Sequence, residues 1–177
     1  MTAVTIGAVD AAAMRAAIRE LAQLLVDAVE SGAGVNFTAP LDRRVAAEWW
    51  TARVPLVESG VITPVLARDP AAGDRLVGVV LLIRATQQNG PHRADISKLL
   101  VHSTARRRGI ARDLMTTVES IARADDRWLL VLDTETGSPA DAAYRALGWT
   151  PVGTIPDYAL RTNGVPGPAT IFYKDLR

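Results

Sequence analysis

The sequence predicts a mixed α/β domain: a central, largely antiparallel sheet with one parallel strand pair, flanked by helices. Three observations carry that prediction. Apolar residues recur at three- and four-residue spacing near the start of the chain and again in its second half. Between and after these segments lie apolar runs bounded by Gly, Pro, Asn and Asp. Most neighbouring runs are joined by short turns, but 93–102 and 128–134 are separated by a helix-length amphipathic segment, which requires a parallel crossover.

The elements follow in order. Asp10 is an N-cap, and Met14, Ile18, Leu21, Leu25 and Val29 fall on one face of a helix that Ser31-Gly32-Ala33-Gly34 stops. A second helix follows Asp42, with Val45, Trp49 and Ala52 on its apolar side and Pro55 ending or kinking it. Between the two, Gly34-Val35-Asn36-Phe37-Thr38-Ala39-Pro40 is an irregular loop, of the kind that lines binding sites or merely connects. Strands follow at 62–68 and 76–86, joined by the turn-forming Asp69-Pro70-Ala71-Ala72-Gly73-Asp74, and Pro64 marks the first as an edge strand. A third strand runs from Arg93 to His102. A helix then buries Ile110, Leu114, Val118 and Ile121, and the dense apolar strand 128–134 follows it. Pro139 opens a short helix that Gly148 closes, and strands near 151–158 and 169–175 complete the chain.

At 177 residues the chain reads as one domain, 1–177, large enough to bury a core without covalent staples. With 49% hydrophobic and 22% charged residues it has the composition of a folded protein. A net charge of +1 speaks against a nucleic-acid partner, and the absence of cysteine excludes disulfides, thiolate metal sites and a cysteine nucleophile. No stretch has the apolar length of a membrane span, and Met1 to Gly7 lacks signal-peptide features, so a cytoplasmic protein without a membrane partner is expected.

The most informative segment is Arg106-Arg107-Arg108-Gly109-Ile110-Ala111, placed between a strand and a helix. A turn of backbone N–H groups ending at a helix N-terminus binds anions through unpaired donors and the helix dipole. Gly109 and Ala111 permit close backbone approach, and the arginines add charge-assisted hydrogen bonds to phosphate oxygens. A lone arginine triplet is usually a solvated charge run. Its place before Gly-Ile-Ala and a helix points instead to a pyrophosphate site.

These residues resemble the GNAT superfamily of acetyl-CoA-dependent N-acyltransferases. The Arg/Gln-x-x-Gly-x-Gly/Ala fingerprint is matched by Arg106, Gly109 and Ala111. A tyrosine four residues before a glycine-aromatic pair is matched by Tyr144 with Gly148-Trp149. A closer resemblance, to the tabtoxin-resistance group of that superfamily, rests on Leu21 to Leu25, Gly32 to Phe37, Lys98 to Val101 and Leu132 to Ser138. The resemblance implies acetyl transfer from acetyl-CoA, without a metal, to the amine of a small amino-acid-like metabolite, toxin or antibiotic, and leaves room for a homodimer. It places the pantetheine along Leu99, Leu100 and Val101, with an oxyanion donor near Leu100 or Val101. The pyrophosphate falls on Arg106, Arg107, Arg108, Gly109, Ile110, Ala111 and Arg112. Tyr144 becomes the general acid, although a tyrosine on an apolar helix face is more often core.

For the base, Asp95 stands where several family members carry a glutamate, on the strand face shared by Ser97, Leu99 and Val101. It is rivalled by Asp133 and Glu135, which otherwise bind a substrate ammonium, and a salt bridge of Asp95 with Arg93 is the structural alternative. Asn36 and Phe37 are further substrate-side candidates, with Trp49 and Trp50 as pocket walls or core. His92 and His102 flank opposite ends of one strand, roughly 30 Å apart at about 3.3 Å per residue, and so make no metal pair. Two other functions remain open: acetylation of a protein N-terminus or lysine, and acetyl-CoA sensing without turnover.

Overall fold

The computed structural model describes residues 4–177. Its elements are β1 (Thr5–Ala8), α1 (Ala11–Ala16), α2 (Ile18–Glu30), α3 (Arg43–Thr51), α4 (Val54–Glu58), β2 (Ile62–Asp69), β3 (Arg75–Arg84), β4 (Arg93–Val101), α5 (Ile110–Ala124), β5 (Leu129–Glu135), α6 (Pro139–Ala146), β6 (Thr150–Leu160) and β7 (Pro166–Asp175). They form the expected mixed α/β fold. The seven strands make one sheet in the order β1-β2-β3-β4-β5-β7-β6, and the only parallel neighbours among the described residues are β4 and β5.

Helices cover both faces. Val79 and Leu81 of β3 and Leu100 of β4 pack with α1 to α4, whereas Val80, Leu82 and Ile96 pack with α5 and α6. The alternation follows from the period of two along a strand, which sends successive side chains to opposite layers. Asp10 caps its helix as expected, accepting from the Ala13 N–H; the structure adds two further side-chain caps, Asp42 accepting from Arg44 and Val45 and Ser138 from Asp141.

Four expectations need correction. The first helix is two, broken at Ala17, with Met14 on the first piece and Leu21, Leu25 and Val29 on the second. Strand β1 has no counterpart in the sequence reading, and by pairing with β2 it removes β2 from the edge. Pro64 is tolerated there because its carbonyl accepts from Val9 just where β1 ends, so its missing N–H faces the side on which the ladder has run out. On α3 the buried residues are Ala46 and Trp50, while Val45 and Ala52 are exposed and Trp49 is half-buried. The small Ala46 lets α3 approach α2, and the Trp50 indole N–H donates to the Leu21 carbonyl at 3.0 Å. Finally, the second helix is also two: the break near Pro55 separates α3, ending at Thr51, from α4, whose first turn holds Pro55.

Candidate active site

Beyond β4 the chain makes a short 3-10 turn, Ser103–Ala105, tied down on both sides. The Ser103 hydroxyl donates to Asp27 of α2 at 2.6 Å, and Arg108 pairs with the buried Asp69 at 2.6 Å. Asp69 keeps its carboxyl below the usual range, chiefly through the Arg108 hydrogen bond. Arg107 and Gly109 take positive φ values of 59° and 82°, which bend the segment into the start of α5. The first bond of α5 runs from the Asp113 N–H to the Gly109 carbonyl at 3.1 Å. Among the described residues, no backbone N–H from Arg106 to Arg112 finds a protein acceptor. A Cβ built on Gly109 would meet nothing within 4 Å, so the approach to these donors is open. The sequence-predicted turn is therefore an anion cradle in geometry. Arg106 lines the cavity beside it, Arg107 and Arg112 are exposed, and the Ile110 side chain is core, leaving only its backbone to the turn. Arg108 is committed to Asp69.

The cradle opens onto a gap in the sheet. Strands β4 and β5 pair only at Arg93 with Leu129, Ala94 with Leu130 and Asp95 with Val131, and then diverge. A cavity of about 290 Å³ fills the gap, bounded by Leu99, Leu100 and Val101 on one side and Asp133, Thr134 and Glu135 on the other. Asn36, Lys98 and Tyr144 also reach it, whereas Phe37 packs edge-on to Trp49 at 6.0 Å and Trp50 is in the core.

The expected face of β4 is wrong beyond Ser97. Ser97 pairs with Leu81 and Leu100 with Val79, so Lys98 and Leu99 together oppose the single residue Val80. This β-bulge, with Lys98 at φ 53°, inverts the alternation. Asp95, Ser97 and Leu100 thus face the layer of α1 to α4, while Leu99 and Val101 face α5 and α6. A period-two reading cannot anticipate an inserted residue.

Asp95 and Asp133 do come together. Asp95 is the register partner of Val131, and Asp133 follows two residues later on the same face. The Asp95 side chain is exposed and stands outside the cavity lining; desolvation by its neighbours nonetheless pushes its carboxyl above the ordinary value, with Arg93 opposing and Asp133 adding to the rise. Arg93 makes its hydrogen bond to Gln87 at 3.1 Å and no ion pair with Asp95. Glu135 is held by Arg161 at 2.9 Å, whereas Asp133 has no ion pair among the described residues. Tyr144 enters from the opposite face, 7% exposed, against Trp149 and Phe172 at ring separations of 5.9 and 6.0 Å. Burial, and secondarily Asp133, raises its phenol well above the ordinary value, so it keeps its proton throughout the working range.

Lys98 is the residue that sequence reasoning passed over. It is 7% exposed, its Nζ lies 4.9 Å from the centre of the Trp49 ring, and Arg53 covers that ring at 3.2 Å. Burial, then Arg53, pushes its ammonium down to about 8, with Asp133 opposing. The available signal was a lone cation inside the apolar run Ile96 to Val101.

The parallel pair thus splays beside a turn of unpartnered N–H groups at a helix start. The chain belongs to the acetyltransferase (GNAT) family, whose model matches residues 37–149. Solved structures share the fold. One is yncA from Salmonella typhimurium, solved with its cofactor acetyl-CoA, at 17% identity and a TM-score of 0.77, covering 99% of this chain and 95% of that one. A ribosomal-protein-alanine N-acetyltransferase from Brucella melitensis matches at 21% identity and a TM-score of 0.77, covering 97% and 99%. An N-acetyltransferase from Staphylococcus aureus Mu50 matches at 13% identity and 0.79, covering 99% and 100%.

Proposed function

We propose that the chain, as one domain over 1–177, transfers acetyl from acetyl-CoA to the primary amine of a small amino-acid-like acceptor, by direct attack in a ternary complex. The observation that carries this reading is the run of unpartnered N–H groups from Arg106 to Arg112 at the mouth of the β4–β5 gap. Acetyl-CoA supplies an acyl carbon on a thiol leaving group. Its pyrophosphate belongs on those N–H groups with Arg106, Arg107 and Arg112 nearby, and Arg108 acts by anchoring the turn to Asp69. Leu99, Leu100 and Val101 line the pantetheine path, and a backbone N–H near Leu100 meets the charge that develops on the thioester oxygen.

Each remaining residue has a role in the proton balance. Asp133 holds the incoming ammonium, and Glu135, with its charge shared with Arg161, shapes the pocket beside Asn36. Asp95 takes the amine proton through a water, its raised carboxyl making it the stronger base. The amine nitrogen bonds to the acyl carbon as the carbon–sulfur bond breaks. Tyr144 donates a hydrogen bond to the departing sulfur, and with so high a phenol it stabilises the thiolate by that bond more than by full proton transfer.

The reading includes a cytoplasmic location and membership of the tabtoxin-resistance group, with resistance to an amine-bearing toxin as the physiological role. Among the described residues, no helix is long and apolar enough to cross a membrane. It also includes a homodimer, for which the exposed apolar side chains of β6, Val152, Ile155, Tyr158 and Leu160, are the available contacts. Initial rates of CoA thiol release over a panel of amines test the reaction. Intersecting lines on varying both substrates support direct attack, whereas parallel lines, or an acetylated protein after incubation with acetyl-CoA alone, refute it.

A further inference from the structure

The cavity is polar in an uneven way. The bulge places Lys98 in the lining of the cavity that Asp133 also lines. Lys98 is more than nine-tenths buried and has no hydrogen-bonding carboxylate among the described residues. Its Nζ lies 4.9 Å from the centre of the Trp49 ring, which it shares with Arg53, and among the described residues the Arg53 guanidinium hydrogen-bonds only the Trp49 carbonyl, at 2.7 Å. Two cations on one aromatic ring, neither in an ion pair among the described residues, form a positive pole opposite Asp133. A buried ammonium left so costs free energy unless a ligand supplies the missing charge.

We propose that Lys98, backed by Arg53, receives a carboxylate of the acceptor, so that the preferred substrate is a zwitterion whose ammonium lies toward Asp133. This rests on the acetyltransferase reading above and narrows it: an amine without a carboxylate, such as a polyamine or an amino-acid amide, is then a poor acceptor. Lys98 is a specificity-determining residue here and takes no part in the proton balance. The bulge serves this role directly, since in a regular strand the residue at 98 would point into the layer of α5 and α6.

The test is a panel of matched pairs, each amino acid against its carboxamide, with CoA thiol release read for the native protein, Lys98→Arg and Lys98→Met. The native protein favours the acids over their amides by at least about tenfold in kcat/KM, or about 1.4 kcal/mol. Lys98→Arg retains a preference, and Lys98→Met brings the ratio near one while acetyl-CoA affinity stays unchanged. The native preference fades as pH rises through about 8, where Lys98 loses its charge between Arg53 and Asp133. Equal rates for acids and amides in the native protein, or a preference that survives in Lys98→Met, overturn the inference and leave the acetyltransferase reading standing. Thiol release from no amine at all overturns the acetyltransferase reading itself.

Discussion

On the side of the cleft proposed for the cofactor, from Arg106 to Arg112, the unpartnered groups are backbone N–H donors. On the side proposed for the acceptor, the lining residues Asn36, Lys98, Asp133 and Glu135 come from separate segments. The first surface depends on conformation: a 3-10 turn, two positive φ values and a helix start, pinned by Asp69 and Asp27. The second depends on burial and on how β4 is kinked. Backbone recognition suits a ligand part that never changes, the pyrophosphate. Side-chain recognition can be altered one residue at a time without disturbing the fold.

Substitutions separate the two sides. The largest effect is expected where they meet: Tyr144→Phe lowers kcat roughly 10²-fold or more with little change in acetyl-CoA affinity, since the lost bond acts in the transition state. Near-native kcat removes Tyr144 from the chemistry. On the acceptor side, Lys98→Met raises stability by about 3 kcal/mol at pH 7, because a lysine held at about 8 in the fold and near 10.5 unfolded disfavours folding while it must be charged. The sign follows from proton counts. Between these values the unfolded chain binds more protons, so the native protein gains stability as pH rises from about 8 to 10.5 and the advantage of Lys98→Met shrinks. A chemical-denaturation series over that range checks it, and a pH-independent difference contradicts the burial argument.

On the cofactor side, Gly109→Asn keeps the left-handed backbone that asparagine tolerates but puts a side chain into the cradle. Acetyl-CoA affinity weakens about tenfold by calorimetry, or about 1.4 kcal/mol, with amine KM unchanged. An unchanged affinity would mean that the turn does not hold the cofactor. The smallest effect is expected at Arg108, where Arg108→Ala lowers Tm by roughly a few degrees through loss of the Asp69 pair and weakens acetyl-CoA less than Arg106→Ala does. The reverse order of affinities would make Arg108 a direct ligand.

The same contrast governs what was legible in the sequence. The cradle could be read because it is local, with Arg106, Gly109 and Ala111 within one turn and helix start. The Asp10 cap was legible for the same reason. Strand β1 was not, since four residues carry too little periodicity and its place is set by pairing with β2, more than fifty positions away. Trp49 and Trp50 are equivalent by composition, and only the close packing of α3 on α2 through Ala46 decides which is core. The reach of Asp95 and Asp133 toward each other depends on parallel register. The direction of Lys98 depends on one inserted residue, which no spacing rule contains.

Where acetyl-CoA meets the chain is read directly by backbone amide NMR during titration. If the unpartnered N–H groups receive the pyrophosphate, the amides of Arg106 to Arg112 show the largest downfield shifts, saturating with the cofactor's binding isotherm, while Asn36 and the β6 residues move little. Binding that leaves those amides in place and shifts another segment, or no binding at all, contradicts that placement.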